Sequence, residues 1–209
     1  MQDFDLGTFT GNPDLGRVTM SGRVIDGQGL TSGSMQADLT AQLNSLGYKG
    51  YIYRDARVDG QVTGKLFNGT LDINDPNMDM HFEGSVDMRD SLPRLDFISR
   101  VDSIHFWELG LSKKALTVKG IFDVHLTAGK VQQLNGSVTG ENFVLTSDGV
   151  DYALDTFMVS GGPDSLTGER KFYIDCDVVS GTIGGWFDPA LLPNQIRHYL
   201  NDQYPRAVP

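Results

Sequence analysis

The sequence predicts an all-β fold, and three observations carry that prediction. Apolar and polar side chains alternate along one stretch after another, turn signals built on glycine, asparagine and proline separate the stretches, and helical spacing is confined to the C-terminal end. The clearest example is Leu116 to Leu126, LTVKGIFDVHL. Leu116, Val118, Phe122, Val124 and Leu126 point to one face of an extended strand, while Thr117, Lys119, Asp123 and His125 point to the other. Gly120 occupies the middle of the apolar row, where a glycine weakens a strand and marks a bend, a bulge or a close approach by another group.

Taken in order, the chain opens with FDLGTFTGNPDLG, whose Asn12-Pro13-Asp14 supplies turn chemistry before the strand RVTMSGRVI. Val18, Met20, Gly22 and Val24 share a face of that strand. Asp26 to Gly33 reads as a glycine-rich turn, and SMQADLTAQL then alternates through Met35, Ala37, Leu39, Ala41 and Leu43. Tyr48 to Gly64 reads as two strands around Arg54-Asp55. LFNGTLDI follows, and the turn Asn74-Asp75-Pro76-Asn77 leads into MDMHFEGSVDM, where Met78, Met80, Phe82, Gly84, Val86 and Met88 alternate.

The stretch RLDFISRVDSIHFWELGL is noisier. Phe97, Ser99 and Val101 predict one strand and Ile104 with Phe106 the next. Beyond Leu126, the segments VQQLNGSVTG, ENFVLTSDG and VDYALDTFMVSGG read as three short strands, and a polar loop from Pro163 to Gly168 precedes RKFYIDCDVVSGTIGGWF. Asp188 then caps a short amphipathic helix with Pro189 in its first turn and Leu192, Ile196, Tyr199 and Leu200 at helical spacing. The expected division is a β-sheet region over 1–187 and a helix over 188–209 that covers the end of the sheet.

Composition bounds the function. A net charge of -10 over 209 residues argues against nucleic acid as a partner. The single cysteine, Cys176, cannot form an internal disulfide and sits in an alternating run as a small apolar residue. No apolar run reaches the length of a membrane span, and the N-terminus lacks the features of a signal peptide, so an envelope location requires a targeting segment elsewhere.

The search for chemistry returns no catalytic motif and no cofactor loop. There is no GxSxG, HExxH, CxxC or GxxxxGK string. DINDPNMD, Asp72 to Asp79, lacks the loop glycine and distal glutamate of a calcium loop and reads as a turn. His81, His105 and His125 stand on outward strand faces with no second ligand nearby in sequence, which argues against a metal site. Trp107 and Trp186 lie in aromatic strand runs and are expected to pack at sheet ends.

What recurs is the form apolar, x, apolar, x, Gly, x, apolar, in VTMSGRV, MHFEGSV and LTVKGIF. It places Gly22, Gly84 and Gly120 in apolar rows that carry no charge. One arrangement consistent with this is a sandwich or barrel whose apolar faces fill one another. The other is an elongated curled sheet with an open apolar groove, where glycines relieve crowding and methionines accommodate variable apolar ligands.

The run LGYKGYIYRDARVDGQVTGKLFNGTLDINDPNMDMHFEGSVDM, with its paired tyrosines, DPN turn and F-x-G-x-V-D end, resembles the central region of TamB proteins. These are translocation and assembly module subunits of the AsmA-like superfamily, here in the Bacteroidota form. The tail DVVSGTIGGWFDPALLPNQIRHYLNDQYP resembles the strand, glycine, helix and Tyr-Pro end of a segment in the same proteins. The resemblance implies a long periplasmic protein anchored in the inner membrane, a β-sheet groove of taco-like section, and an outer-membrane partner of the Omp85 class contacted through regions outside this chain.

It further implies either phospholipid transport between the membranes or delivery of outer-membrane β-barrel proteins. The expectation is therefore a non-enzymatic groove without cofactors. Phospholipid acyl chains would lie against Met20, Met35, Leu39, Met78, Met80, Phe82, Val118, Phe122 and Val124. The alternatives are a chaperone-like track for barrel proteins and a closed β-sandwich that binds a surface or carbohydrate.

Overall fold

A computed structural model describes residues 2–5, 7–8, 13–28, 36–127, 135–164 and 166–185. Met35, Trp186 and the predicted helix over 188–209 lie outside the described residues. The chain forms one twelve-stranded sheet in which sequence neighbours are sheet neighbours throughout. The strands are β1 (Phe4–Asp5), β2 (Leu15–Gln28), β3 (Gln36–Tyr48), β4 (Tyr51–Thr63), β5 (Leu66–Asp75) and β6 (Met78–Asp87). They continue as β7 (Arg94–His105), β8 (Leu116–Thr127), β9 (Asn135–Ser147), β10 (Val150–Pro163), β11 (Arg170–Cys176) and β12 (Ser180–Gly184).

Every pairing is antiparallel, and β1 and β12 do not meet, so the sheet is not closed. The fold is the elongated all-β sheet that the alternation predicts. The closed sandwich expected as an alternative requires two packed sheets, whereas the described strands make a single one. At about 4.8 Å per strand the sheet measures roughly 50 Å across its strands.

Three expected strand boundaries are corrected, and one physical cause accounts for them. Arg54-Asp55 is no turn: β4 runs through it, with Asp55 at φ 47° inside the strand. Likewise β7 is continuous from Arg94 to His105, and the segments read as VQQLNGSVTG and ENFVLTSDG join in β9. In each strand an irregularity shifts the alternation, so that residues an odd number of positions apart face the same side.

In β3, Met20 pairs with Leu43 but Val18 pairs with Leu46. In β7, Val101 pairs with Gly120 while Ile104 pairs with Val118. In β9, Lys119 pairs with Val144 and Ile121 with Glu141, leaving Asn142 at φ 50° as the extra residue. These bulges fall at similar heights on well-separated strands, and bulges bend and twist the strands that carry them.

A buried carboxylate stabilises one rim of the sheet. Asp75, only 3% exposed, accepts hydrogen bonds from the Tyr51 hydroxyl, from the Arg54 amide at 2.9 Å and from the Asn77 amide at 2.9 Å. It fastens the start of β4 to the β5–β6 hairpin, whose turn is Pro76-Asn77 alone; the rest of the string Asp72 to Asp79, including Asn74 and Asp75 expected in the turn, lies in the paired ends of β5 and β6. Burial first, and then the bond to Asp75, push the Tyr51 hydroxyl above its ordinary range. Tyr51 stacks edge-on against Tyr53 with ring centres 4.8 Å apart. In the β7–β8 connection Leu109 is fully buried, whereas Trp107 at the sheet end remains 55% exposed.

Candidate functional site: the apolar face of the sheet

The register assembles the alternating residues into continuous rows. One row runs Gly22, Ala41, Val58, Leu71, Phe82, Ser99, Phe122, Gly140, Phe157 and Cys176, each paired with the next across β2 to β11. Beside it runs Leu39, Gly60, Gly69, Gly84, Phe97, Val124, Val138, Val159 and Ile174. A third contains Met20, Leu43, Ala56, Ile73, Met80, Val101 and Gly120, and a fourth, toward the Asp75 rim, contains Met78, Ile104, Val118, Leu145 and Tyr152.

None of these positions carries a charge. The exception to apolarity in the first row, Ser99, is 3% exposed and turns its hydroxyl onto the His81 carbonyl at 2.9 Å. That bond satisfies the only strong polar group the row would otherwise present.

Eight of the nine expected lining residues therefore share one face: Met20, Leu39, Met78, Met80, Phe82, Val118, Phe122 and Val124. They do not gather in a pocket. Met20 on β2 and Val118 on β8 are six strands apart, roughly 29 Å. The face is also incompletely covered. Among the described residues the buried apolar side chains are Val18, Ala41, Ala56, Phe82, Val101, Leu109 and Val124, and the other large apolar members of the rows are half-buried or exposed. A core filled by a second layer would bury such residues throughout.

The three glycines have separate local causes. Gly84 has φ 147° and Gly120 φ 149°, conformations that L side chains rarely adopt. A Cβ on Gly84 would also lie 2.5 Å from Phe97 Cα and 2.6 Å from Phe97 Cβ, and one on Gly120 would lie 3.2 Å from Phe143 Cα. Gly22 needs only the space: its Cβ would sit 2.7 Å from the Thr40 carbonyl oxygen.

Elsewhere the vacated space is filled by rings. The Phe157 ring lies over Gly140, and Phe67 Cε2 approaches within 3.0 Å of where a Gly60 Cβ would be. Two aromatic clusters result. Phe82 lies 6.3 Å from Phe67 and 4.7 Å from Phe97 between ring centres. Phe143 lies 6.1 Å from Phe122 and 5.2 Å from Phe157. Rings resting on glycines give the floor its relief, and Phe67, Phe97, Phe143 and Phe157 are members of it that sequence reasoning missed. Their signal was the glycine in the neighbouring strand, legible only once the register is known.

The opposite face is polar, and it gives His81 and His125 partners across neighbouring strands and, for His125, within its own strand. His81 Nδ1 is 2.6 Å from Asp72 Oδ1, its cross-strand neighbour. His125 Nδ1 is 3.0 Å from Asp96 Oδ1, and its Nε2 is 2.9 Å from Asp123 Oδ1. That Asp123 oxygen is shielded and takes no hydrogen bond. No group of three or more His, Cys, Asp or Glu among the described residues is placed to hold a metal ion.

No protein-family model, no characterised protein and no solved structure matches this chain.

Proposed function

We propose that the apolar floor is the bed of an open groove along which phospholipid acyl chains lie. On this reading the chain is a periplasmic module of an inner-membrane-anchored protein of the TamB and AsmA-like kind, carrying phospholipid toward the outer membrane in support of outer-membrane assembly. The observation that carries the proposal is the continuity of uncharged rows across ten strands with no second layer over them among the described residues.

The physics of such a surface suits acyl chains. Each methylene removed from water contributes up to about 0.8 kcal/mol, without direction, so a chain is held wherever it lies on the floor. No convergent polar group on the floor fixes one position, which favours movement along it over tight capture. A floor of roughly 50 Å exceeds the ~15 Å of a single leaflet's hydrocarbon, so it accommodates chains end to end.

The chaperone-like alternative has its own supporting feature. The last described strand, β12, is five residues long and uncharged, Ser-Gly-Thr-Ile-Gly, and such an edge accepts an added strand. A binding titration with a fluorescent-acyl phospholipid tests the lipid reading. Met80→Glu and Val118→Glu place charge on the floor and are expected to weaken binding roughly tenfold or more. Ile98→Glu places charge on the outer face, where Ile98 is already 54% exposed, and is expected to leave binding unchanged. Equal affinities for all the variants would overturn the lipid reading.

A further inference from the structure

The polar face of β2 to β4 carries a feature that the floor does not explain. Ser21, Arg23, Thr40, Gln42 and Arg57 line a surface depression of about 320 Å³. The register puts them on one face: Arg23 pairs with Thr40, and Ser21 with Gln42, which in turn pairs with Arg57. The two arginines stand two strands apart and two residues out of step, roughly 12 Å between Cα atoms, within the joined reach of their side chains.

The chain carries a net charge of -10. Arg17, Arg89, Arg94, Arg100 and Lys171 each meet an aspartate within 4.0 Å. Arg23 and Arg57 meet none among the described residues. On the same face Asp59 accepts the Thr40 hydroxyl at 3.1 Å, and Asp72, the cross-strand neighbour of Arg57, faces His81 at 2.6 Å. Two unpaired guanidiniums brought to one depression repel each other, and an oxyanion between them turns that repulsion into paired, charge-assisted hydrogen bonds.

We propose that this depression binds a phosphate-type oxyanion, with Arg23 and Arg57 converging on its oxygens and the Ser21 hydroxyl and Gln42 amide donating further bonds. The inference rests on these residues and is independent of the lipid reading of the other face. The phosphate is that of a free phosphate ion or of a lipid head group reaching past the edge of β2, and the test separates the two.

The 209-residue chain is titrated at low ionic strength with inorganic phosphate by calorimetry, and separately floated with phosphatidylglycerol or phosphatidylcholine vesicles. The same is done for Arg23→Gln, Arg57→Gln, the double variant, and Arg100→Gln, which alters a paired arginine of the same face. Far-UV circular dichroism verifies that each variant folds. The expected result is binding that falls at least tenfold in each single variant, is lost in the double variant, persists in Arg100→Gln and weakens with added salt. If phosphate titrates the site, the ligand is a soluble phosphate; if only phosphatidylglycerol vesicles show the arginine-dependent binding, it is a head group. Absence of binding to both probes, or binding that survives in the double variant, overturns the proposal.

Discussion

At the scale of single residues, the glycines of the apolar rows are set by what stands opposite them. Gly84 combines φ 147° with Phe97 Cα lying 2.5 Å from a Cβ position. Gly84→Ala is therefore expected to destabilise the fold by about 1–3 kcal/mol, read as a lower urea midpoint. Gly181 on β12 has ordinary backbone geometry and open space around a Cβ, so Gly181→Ala is expected to change stability by no more than about 0.5 kcal/mol. Comparable losses at both sites would mean that glycine entropy matters and the close approach of Phe97 does not.

The sequence pattern was enough to single out Gly22, Gly84 and Gly120 as a set, because each interrupts an apolar row. It was not enough to assign their causes. Phe97 beside Gly84 and Phe143 beside Gly120 come from other strands, and a cross-strand neighbour is a fact of register. The same holds for His125, whose partners Asp96 and Asp123 include one from β7, 29 residues away in the chain.

At the scale of elements, alternation located the strands and failed where the alternation itself shifts. Asp55 and Asn142 are polar residues with positive φ inside strands, and on a period-two reading they look like turns. The hairpin turn Lys49-Gly50, which the structure places between β3 and β4, fell inside the stretch from Tyr48 read as strand. Elements also differ in how their ends are held.

Asp87, at the end of β6, receives the Arg89 guanidinium and backbone amide, which lower its carboxyl from an ordinary 3.8 to about 2. In the β10–β11 turn the Lys171 ammonium and the Thr167 and Leu166 amides lower Asp164 further still. Both carboxyls are depressed in the folded state. Their contribution is therefore present above pH 3.8 and is lost as pH falls through the folded values, at about 2 for Asp87 and lower for Asp164. Asp87→Asn and Asp164→Asn are expected to lower the urea midpoint at pH 6 and to lose less of it than the parent between pH 6 and pH 2. Parallel acid limbs for parent and variants would remove these turns from the account of acid stability.

At the scale of the molecule, every strand pairs with its sequence neighbour, so the twelve strands make one sheet without a long crossover. Sequence could carry the all-β class and the charge-free rows, since both are local patterns. It could not distinguish a floor from half of a closed core, because that depends on whether a second layer packs over Phe82 and Phe122. In the structure both lie in one row between Leu71 and Phe157, on a single sheet.

The central claim is that this row faces acyl chains. Placing a photoreactive amino acid at position 82 or 122 and irradiating the chain in envelope membranes tests it most directly, with the adducts identified by mass spectrometry. The account predicts phospholipid adducts at both positions and none from position 98 on the outer face. Peptide adducts in their place would assign the apolar face to protein clients, and no adduct at either position would contradict an open floor.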